Sequence, residues 1–449
     1  MPEMEKNSDF MIEKIKERPV NKRKLIRQTV TTAALAVIFG CIACITFLLL
    51  EPVINNWLYP EEEPAPVAFP EDLEEMAPED MLAENITIEE TIPMTDEITD
   101  LQKGEVAGEL SGVLLDKDSY AQVYAALSSY ASELSRSMVT VTGVSSNRDW
   151  FNNIEQSKNQ SSGVIIANNG KELLVLVDYT PLRKAESMTM TFACLDASTN
   201  GRSEYQIPVT LKQQDGSTNL AVLTANLSDI PAEMLEEGGI SIAALGSSNT
   251  RNLVGTPIVA MGSPMGISGS VGYGIITAIT VPNQKADSDY KLLQTNIYGS
   301  QNAGGVLFNL EGQVIGVITG QNTGTDMKNL VNAYGITELK KRIEKISNGK
   351  KAAYMGISAV DVTEDAHKKL GVPYGAFIRD VDMNSPAMLE GVQQGDILTG
   401  FGERSILSYN DYITALMQEA PGNTVKLTVM RASQGEYKEM VVHVVLDAQ

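Results

Sequence analysis

Histidine is nearly absent from this chain of 449 residues, which contains only two, His367 and His443. Both lie near the C-terminal end of the sequence, so residues 1–366 offer no imidazole for general acid–base chemistry. His367 is flanked by lysines on a predicted helix, and His443 alternates with valines on the last predicted strand. The simplest interpretation is that His367 is exposed to solvent and that His443 is a structural residue of its strand.

Cysteine is also scarce, with three residues in the whole chain. Cys41 and Cys44 lie inside an apolar run, and Cys194 stands alone. This number and spacing exclude a disulfide framework. The CxxC spacing of the first pair fits apolar helix filling better than a redox or metal site, because the surrounding apolar run offers no other ligands. We expect no metal site and no cofactor.

Basic residues are outnumbered, with 35 Lys and Arg against 57 Asp and Glu and a net charge of −22. This balance excludes a nucleic-acid partner, which requires clustered Lys and Arg. Residues 51–102 contain no Lys or Arg and are rich in Glu, Asp and Pro. Such a composition cannot bury enough apolar surface to fold. It predicts a solvated acidic linker over residues 51–118, after which a lead-in helix over 120–134 begins the folded part.

A charge-free run over residues 29–50 follows the basic N-terminal segment 1–28. Its length suffices for one transmembrane helix, which needs about 20 residues. The positive-inside rule then predicts a cytoplasmic N-terminus and a single-pass cell-membrane protein with extracytoplasmic C-terminal domains. A cleaved signal peptide is the alternative, but the residues after the run, 51–56 (EPVINN), lack the small-residue pattern of a cleavage site.

Short β-type runs separated by glycine and Asn/Asp turns begin at Met138 and continue to Thr319, and a helix over 336–346 closes this region. The pattern predicts antiparallel barrels or a sandwich over residues 119–346. A second unit over residues 352–448 alternates strands with short helices, which predicts an α+β domain.

The segment 292–320 has the pattern of a polar glycine loop followed by a hairpin. Gly304 and Gly305 permit a sharp bend and a close approach of backbone amides to a bound group. The segment resembles the active-site motif of the HtrA (Deg) family of trypsin-like serine proteases, T-D-A-A-x-N-x-G-N-S-G-G-P-L. Residues 295–296 (TN) match its start and 302–307 (NAGGVL) its end. The loop is one residue shorter, and Ala303 occupies the position of the nucleophilic serine.

Two further motifs of that family align with this chain. The histidine of its T-N-x-H-V-V segment falls on Asp178, within 174–179 (LVLVDY), and the acid of its D-L-A-V-L segment falls on Asn219, within 219–223 (NLAVL). The resemblance therefore implies that all three triad positions, Asp178, Asn219 and Ala303, are degenerate. The amides of Gln301 and Ala303 are expected to form an oxyanion-hole-like nest.

The second unit resembles a PDZ domain of the HtrA type through 354–357 (YMGI), 384–387 (NSPA) and 395–398 (GDIL). The resemblance implies a mainly β architecture, with a trypsin-like double β-barrel followed by a PDZ domain. It also implies peptide binding at Tyr354, Met355, Gly356 and Ile357, whose amides are expected to face a peptide carboxylate. The alternative is that this strand only completes the sheet and that the barrel fills the groove.

Three functions remain open at this level. The first is a membrane-anchored HtrA-like pseudoprotease that binds protein C-termini or unfolded segments, as a scaffold, in quality control or as a protease regulator. The second is an active serine endopeptidase with an unrecognised nucleophile, for which Ser300 is the candidate. The third is a structural envelope protein without saturable peptide binding. Family members often form homotrimers through aromatic residues, and whether Trp150 and Phe151 correspond to these is left open.

Overall fold

The computed structural model describes residues 30–44, 46, 64–70, 72, 117–148, 154–196, 201–236, 239–281, 285–320, 329–433 and 435–448. The predicted cytoplasmic segment and Trp150 and Phe151 lie outside these residues. Within the predicted membrane segment, residues 30–44 and 46 are helical. No helix in the described part of the chain is long and apolar enough to cross a bilayer. The chain divides into two compact units, residues 1–63 and 64–449.

The first barrel of the larger unit is a closed antiparallel sheet with the strand order β1-β2-β3-β6-β5-β4. Helix α1 (Lys117–Leu134) leads into it. Its strands are β1 (Met138–Arg148), β2 (Ile154–Asn168), β3 (Glu172–Asp178), β4 (Ser187–Asp196), β5 (Gly201–Gln214) and β6 (Leu220–Asn226). The short helix α2 (Ala232–Leu235) follows. β3 and β6 are buried along almost their whole lengths, which explains why their sequences are continuous apolar runs rather than alternating ones.

The second barrel has the order β11-β8-β9-β10-β13-β12-β7, and an additional pairing of β11 with β12 closes the ring. Its strands are β7 (Ala244–Leu245), β8 (Pro257–Ser263), β9 (Ser270–Thr280), β10 (Leu292–Tyr298), β11 (Gly304–Phe308), β12 (Gln313–Thr319) and β13 (Leu330–Gly335). The amphipathic helix α3 (Ile336–Ser347) closes the region. One apolar core cluster joins the two barrels, and its members include Leu174 of β3 and Phe308 of β11, both fully buried.

The C-terminal domain has its own core, separate from the barrels. Its strands are β14 (Ala353–Tyr354), β15 (Ile357–Asp361), β16 (Ala376–Val381), β17 (Ile397–Phe401), β18 (Arg404–Ser405), β19 (Thr424–Ser433), β20 (Glu436–Val445) and β21 (Asp447–Ala448). Its helices are α4 (Glu364–Leu370), α5 (Pro386–Leu389) and α6 (Tyr409–Leu416). The predicted strand that begins at Tyr354 is divided in two, because Gly356 has a positive φ of 87° and turns the chain between β14 and β15.

Part of the acidic linker is packed against the barrels, in contrast to the solvated spacer expected from its composition. Val67 and Phe69 pack on the core that joins the barrels. The amide of Val67 donates to Asn348 Oδ1 at 2.9 Å, and Asn348 Nδ2 donates to the carbonyl of Val67 at 2.7 Å. The Asp72 carboxylate pairs with Lys340 and accepts from Ser247 Oγ at 2.8 Å. Residues 64–70 and Asp72 are therefore part of the folded body.

Candidate functional site

The two triad-like positions of the first barrel are neighbours in the structure. Asp178 ends β3 and pairs in register with Leu220, the residue that follows Asn219. The amide of Tyr179 donates to the carbonyl of Asn219 at 2.8 Å. The sheet therefore brings the predicted histidine and acid positions together, as the alignment with the protease motifs requires.

Both of these side chains have other hydrogen-bond partners nearby. One carboxylate oxygen of Asp178 accepts from the amide of Thr180 at 2.8 Å. The Asn219 side-chain oxygen accepts a hydrogen bond from the guanidinium of Arg183. Asn219 also has a left-handed backbone with φ 62°, which asparagine tolerates better than most residues. A neutral amide held by a cation cannot stabilise an imidazolium.

Serine hydroxyls connect this pair to the Ala303 loop across the junction of the barrels. Ser161 Oγ donates to the carbonyl of Asp178 at 2.7 Å, while Ser162 Oγ donates to Ser263 Oγ at 3.1 Å. Ser263 Oγ in turn donates to the carbonyl of Gly304 at 3.3 Å. Ala303, directly before Gly304, is 7 % exposed. All three predicted triad positions therefore lie at this junction.

The Asp178 charge also acts across the junction. Burial raises the pKa of Tyr334 in β13, a hydrogen bond to Thr319 acts in the opposite direction, and the negative charge of Asp178 raises the pKa further. The side of the first barrel that carries Asp178 therefore faces Tyr334 of the second barrel.

The Ala303 loop is closed by its own hydrogen bonds. The amide of Ala303 donates to the carbonyl of Ser300 at 3.0 Å, so this amide is not directed at a substrate oxygen. The Ser300 hydroxyl accepts from the amide of Asn302 at 3.2 Å. The nest proposed for Gln301 and Ala303 would require this turn to open, because an oxyanion hole needs both amides free to donate.

Gly305, the second glycine of the pair, has a structural role in the second barrel. Its φ is 113°, and a Cβ atom there would lie 2.0 Å from the carbonyl oxygen of Met261. The β8–β11 pairing brings the two backbones this close. This glycine is required by the barrel itself.

Both histidines lie in the C-terminal domain and have local partners. His367 Nδ1 is 2.7 Å from the carbonyl oxygen of Val372, and its ring stacks on Tyr374 with centroids 3.9 Å apart. His443 lies on β20 and pairs in register with Lys426 of β19. Neither ring is placed by these contacts beside Ser300.

The loop of the C-terminal domain predicted to bind peptides has amides that converge on a carboxylate. The amides of Met355 and Gly356 each donate at 2.7 Å to one oxygen of Asp287, and the amide of Ile357 donates at 3.2 Å to the other. The Tyr412 hydroxyl also donates to this second oxygen. Asp287 lies in the connection from β9 to β10, so the second barrel supplies the carboxylate.

Sequence reasoning did not identify Asp287. It lies within the polar run 285–289 (KADSD), which gives no local sign that one of its carboxylates is fully buried. The pKa of Asp287 is raised above its ordinary value, because burial is the larger effect. Hydrogen bonds from the Tyr412 hydroxyl and the three loop amides favour the charged form and oppose this shift in part. Tyr354 of the loop has its hydroxyl bonded to Asp382 at 2.6 Å.

A buried cation links the Asp287 segment to the first barrel. Arg342 of α3 donates to the carbonyl of Asp287 and forms a 3.0 Å ion pair with Asp215. Burial acts to raise the pKa of Asp215, but the charge of Arg342 and hydrogen bonds from Thr218 and Ser217 outweigh it and leave the pKa lowered. Asp215 begins the turn that ends at Asn219, where the amide of Asn219 donates to the carbonyl of Asp215 at 3.1 Å.

The architecture defines a class of protein, a trypsin-like double barrel followed by a PDZ domain. The family described as trypsin-like peptidase domain matches residues 161–317, and the family described as PDZ domain matches residues 353–444. The chain therefore carries a trypsin-like peptidase domain and a PDZ domain, and it is similar to proteases of the HtrA type.

Its relatives are described as proteases. The chain is 29 % identical over 289 residues to a "Probable periplasmic serine endoprotease DegP-like" of Rickettsia prowazekii, covering 61 % of this chain and 51 % of the relative. It is 26 % identical over 298 residues to "Serine protease Do-like HtrA" of Lactococcus lactis, covering 62 % and 69 %. A similar solved structure, "HtrA-type protease AlgW with decapeptide", has 18 % identity and a TM-score of 0.49, covering 71 % of this chain and 98 % of its own. The chain spans 57 % and 51 % of the first two curated relatives it matches.

Proposed function

We propose that this chain is a pseudoprotease of the HtrA type that binds protein C-termini or unfolded segments without cutting them. The observation that carries the proposal is the set of residues at the triad positions, Asp178, Asn219 and Ala303, which includes no serine nucleophile and no histidine base. No imidazole occurs before residue 367. Acyl transfer by this fold requires a nucleophile, a base and an orienting acid.

The PDZ-type loop supports the binding half of the proposal. The amides of Met355, Gly356 and Ile357 converge on two carboxylate oxygens. The terminal carboxylate of a peptide has the same donor requirements. The neighbouring strand β15 gives an extended ligand a partner for backbone pairing.

For the full-length chain in detergent, we expect no cleavage of fluorescent casein and no labelling by a fluorophosphonate probe. In the same preparation, labelled peptides with a free C-terminal carboxylate should raise fluorescence anisotropy saturably, whereas their C-terminal amides should not. Chymotrypsin serves as the positive control for cleavage. Cleavage that persists after repurification would refute the proposal, and mapping the labelled residue would test Ser300 as the nucleophile of an active endopeptidase.

The periplasmic relatives support placing the folded domains outside the cytoplasm. We further propose that residues 29–50 anchor the chain in the cell membrane as a single pass, because this run contains no charge and follows basic residues. The chain expressed in bacteria should remain in the membrane pellet after alkaline carbonate extraction, whereas a chain without residues 1–50 should be released. Release of the full-length chain would show that these residues are no anchor.

A further inference from the structure

The carboxylate-binding loop of the PDZ domain already holds a carboxylate in this structure. Three consecutive amides, those of Met355, Gly356 and Ile357, and the Tyr412 hydroxyl donate to the two oxygens of Asp287. Each oxygen receives two donors, which is the arrangement that a peptide terminus would require. The side chain of Asp287 is therefore chemically equivalent to a bound C-terminal carboxylate.

The backbone of the same segment extends this likeness. The amide of Asp287 donates to the carbonyl of Ile357 at 2.8 Å, at the first residue of β15. An incoming peptide strand pairs with a sheet edge through the same type of bond. The amide of Ser288 donates to the Tyr409 hydroxyl at 3.2 Å, and that hydroxyl donates to the carbonyl of Ile357 at 3.3 Å. Side chain and main chain together occupy the ligand end of the groove.

The segment is held firmly enough to exclude a second carboxylate. Asp287 is 0 % exposed and Ser288 is 1 % exposed. Asp287 also has a left-handed backbone with φ 55°, which is uncommon outside glycine. Arg342 donates to its carbonyl. An external carboxylate cannot reach the three loop amides while Asp287 accepts from them.

We propose that Asp287 is an internal ligand of the PDZ domain, and that a protein C-terminus binds this loop only by displacing it. This rests on the proposed peptide-binding function and specifies how the site is controlled. The apparent affinity for a peptide is then the intrinsic affinity reduced by the fraction of molecules in which the Asp287 segment has left the loop. Removal of the Asp287 carboxylate should restore the intrinsic affinity.

The test compares peptide binding by the full-length chain and three variants. The probe is a pool of fluorescein-labelled decapeptides that end in Val, Leu or Phe, because apolar Met355, Ile357 and Ile413 belong to the core beside the loop.

Asp287→Ala should bind the pool about tenfold or more tightly than the wild type. Asp287→Asn should show a smaller gain, since its one remaining side-chain oxygen can still accept from the loop donors. Ser288→Ala is the matched control, because its hydroxyl bonds only locally to the carbonyl of Lys285 at 2.6 Å. It should bind as the wild type does.

Hydrogen exchange of a peptic fragment covering residues 353–358 separates failure of this proposal from failure of peptide binding. In Asp287→Ala the amides of this fragment should exchange faster than in the wild type and in Ser288→Ala. Unchanged exchange, or unchanged peptide affinity in a folded Asp287→Ala protein that binds the pool, would overturn the internal-ligand assignment. Faster exchange with no peptide binding by any variant would leave Asp287 as the occupant of the loop and refute the peptide-binding function. Circular dichroism of each variant confirms folding.

Discussion

Replacing Arg342 with methionine should lower the free energy of unfolding by about 3–5 kcal/mol, because it leaves a buried carboxylate without its cation. The side chains of Arg342 and Asp215 are 3 % and 1 % exposed, and their charged atoms lie 3.0 Å apart. Arg342 also lies over the ring of Tyr290, 5.5 Å from its centroid. Methionine keeps much of the length but none of the donors. Urea unfolding followed by circular dichroism measures the loss.

The double variant Arg342→Met with Asp215→Asn is the control for this effect. It removes both charges and should recover a large part of the stability, since breaking one half of a buried pair costs more than replacing both. A single variant as stable as the wild type would show that the ion pair contributes nothing. A double variant no more stable than the single one would place the loss in packing instead.

The pH dependence of the same variants has a definite sign. The pKa of Asp215 is lowered in the folded wild type, so its contribution is present above the unfolded pKa of about 3.9 and is lost as pH falls through the folded value. In Arg342→Met the same carboxyl would be buried without its cation, and we expect burial to raise its pKa. The stability deficit of the variant should therefore shrink as pH falls from neutral towards 4.

Restoring the nucleophile alone should produce no protease. Ala303→Ser should cleave casein no faster than the wild type, because the serine has no base. Adding Asp178→His and Asn219→Asp should raise the rate by up to about 10⁶-fold over the single variant, the factor that a complete triad contributes. The triple variant should remain about 10²–10³-fold slower than a protease with a complete oxyanion hole, because one donor is missing. The missing donor here is the amide of Ala303, which is bonded to Ser300.

The control for this series is the double variant Asp178→His with Asn219→Asp, which should remain inactive and unlabelled by a fluorophosphonate. Casein turnover and probe labelling are both measured. A gain by Ala303→Ser alone would reveal a base supplied from elsewhere in the chain. No gain by the triple variant would mean that the three positions do not come within reach of one another, although each aligns with a protease motif.

Local patterns were sufficient to predict the order of the elements. The apolar runs at 173–177 and 220–223 correspond to the buried strands β3 and β6, and the helix expected over 336–346 is α3. The likeness to HtrA sequences was carried by short motifs at fixed places in the chain, and the trypsin-like and PDZ matches confirm it. These features depend on residues that are neighbours in the sequence, and they could therefore be predicted from it.

Long-range features were not predictable in the same way. Asp287 is separated by about 70 residues from the loop that binds it, and nothing near it in sequence marks it as buried. Residues 64–70 have the composition of a spacer, but Val67 and Phe69 are apolar residues two positions apart. That spacing places both side chains on one face of an extended chain, and it was the available sign that this segment packs on the barrel core.

Arg342 connects the Asp287 segment of the second barrel to the turn over residues 215–219 in the first barrel. One guanidinium binds the carbonyl of Asp287 and the carboxylate of Asp215, whose turn ends at Asn219. If a peptide draws the Asp287 segment away from the PDZ loop, Arg342 loses the carbonyl of Asp287 as an acceptor while it keeps Asp215 and Ser217. Suppose that a ligand binding near Asn219 changes the affinity for the peptide by some factor. Thermodynamic linkage then requires that the peptide change the affinity for that ligand by the same factor. Displacement of Asp287 by a protein terminus would thus reach the barrel junction through one guanidinium, without any covalent change in the chain.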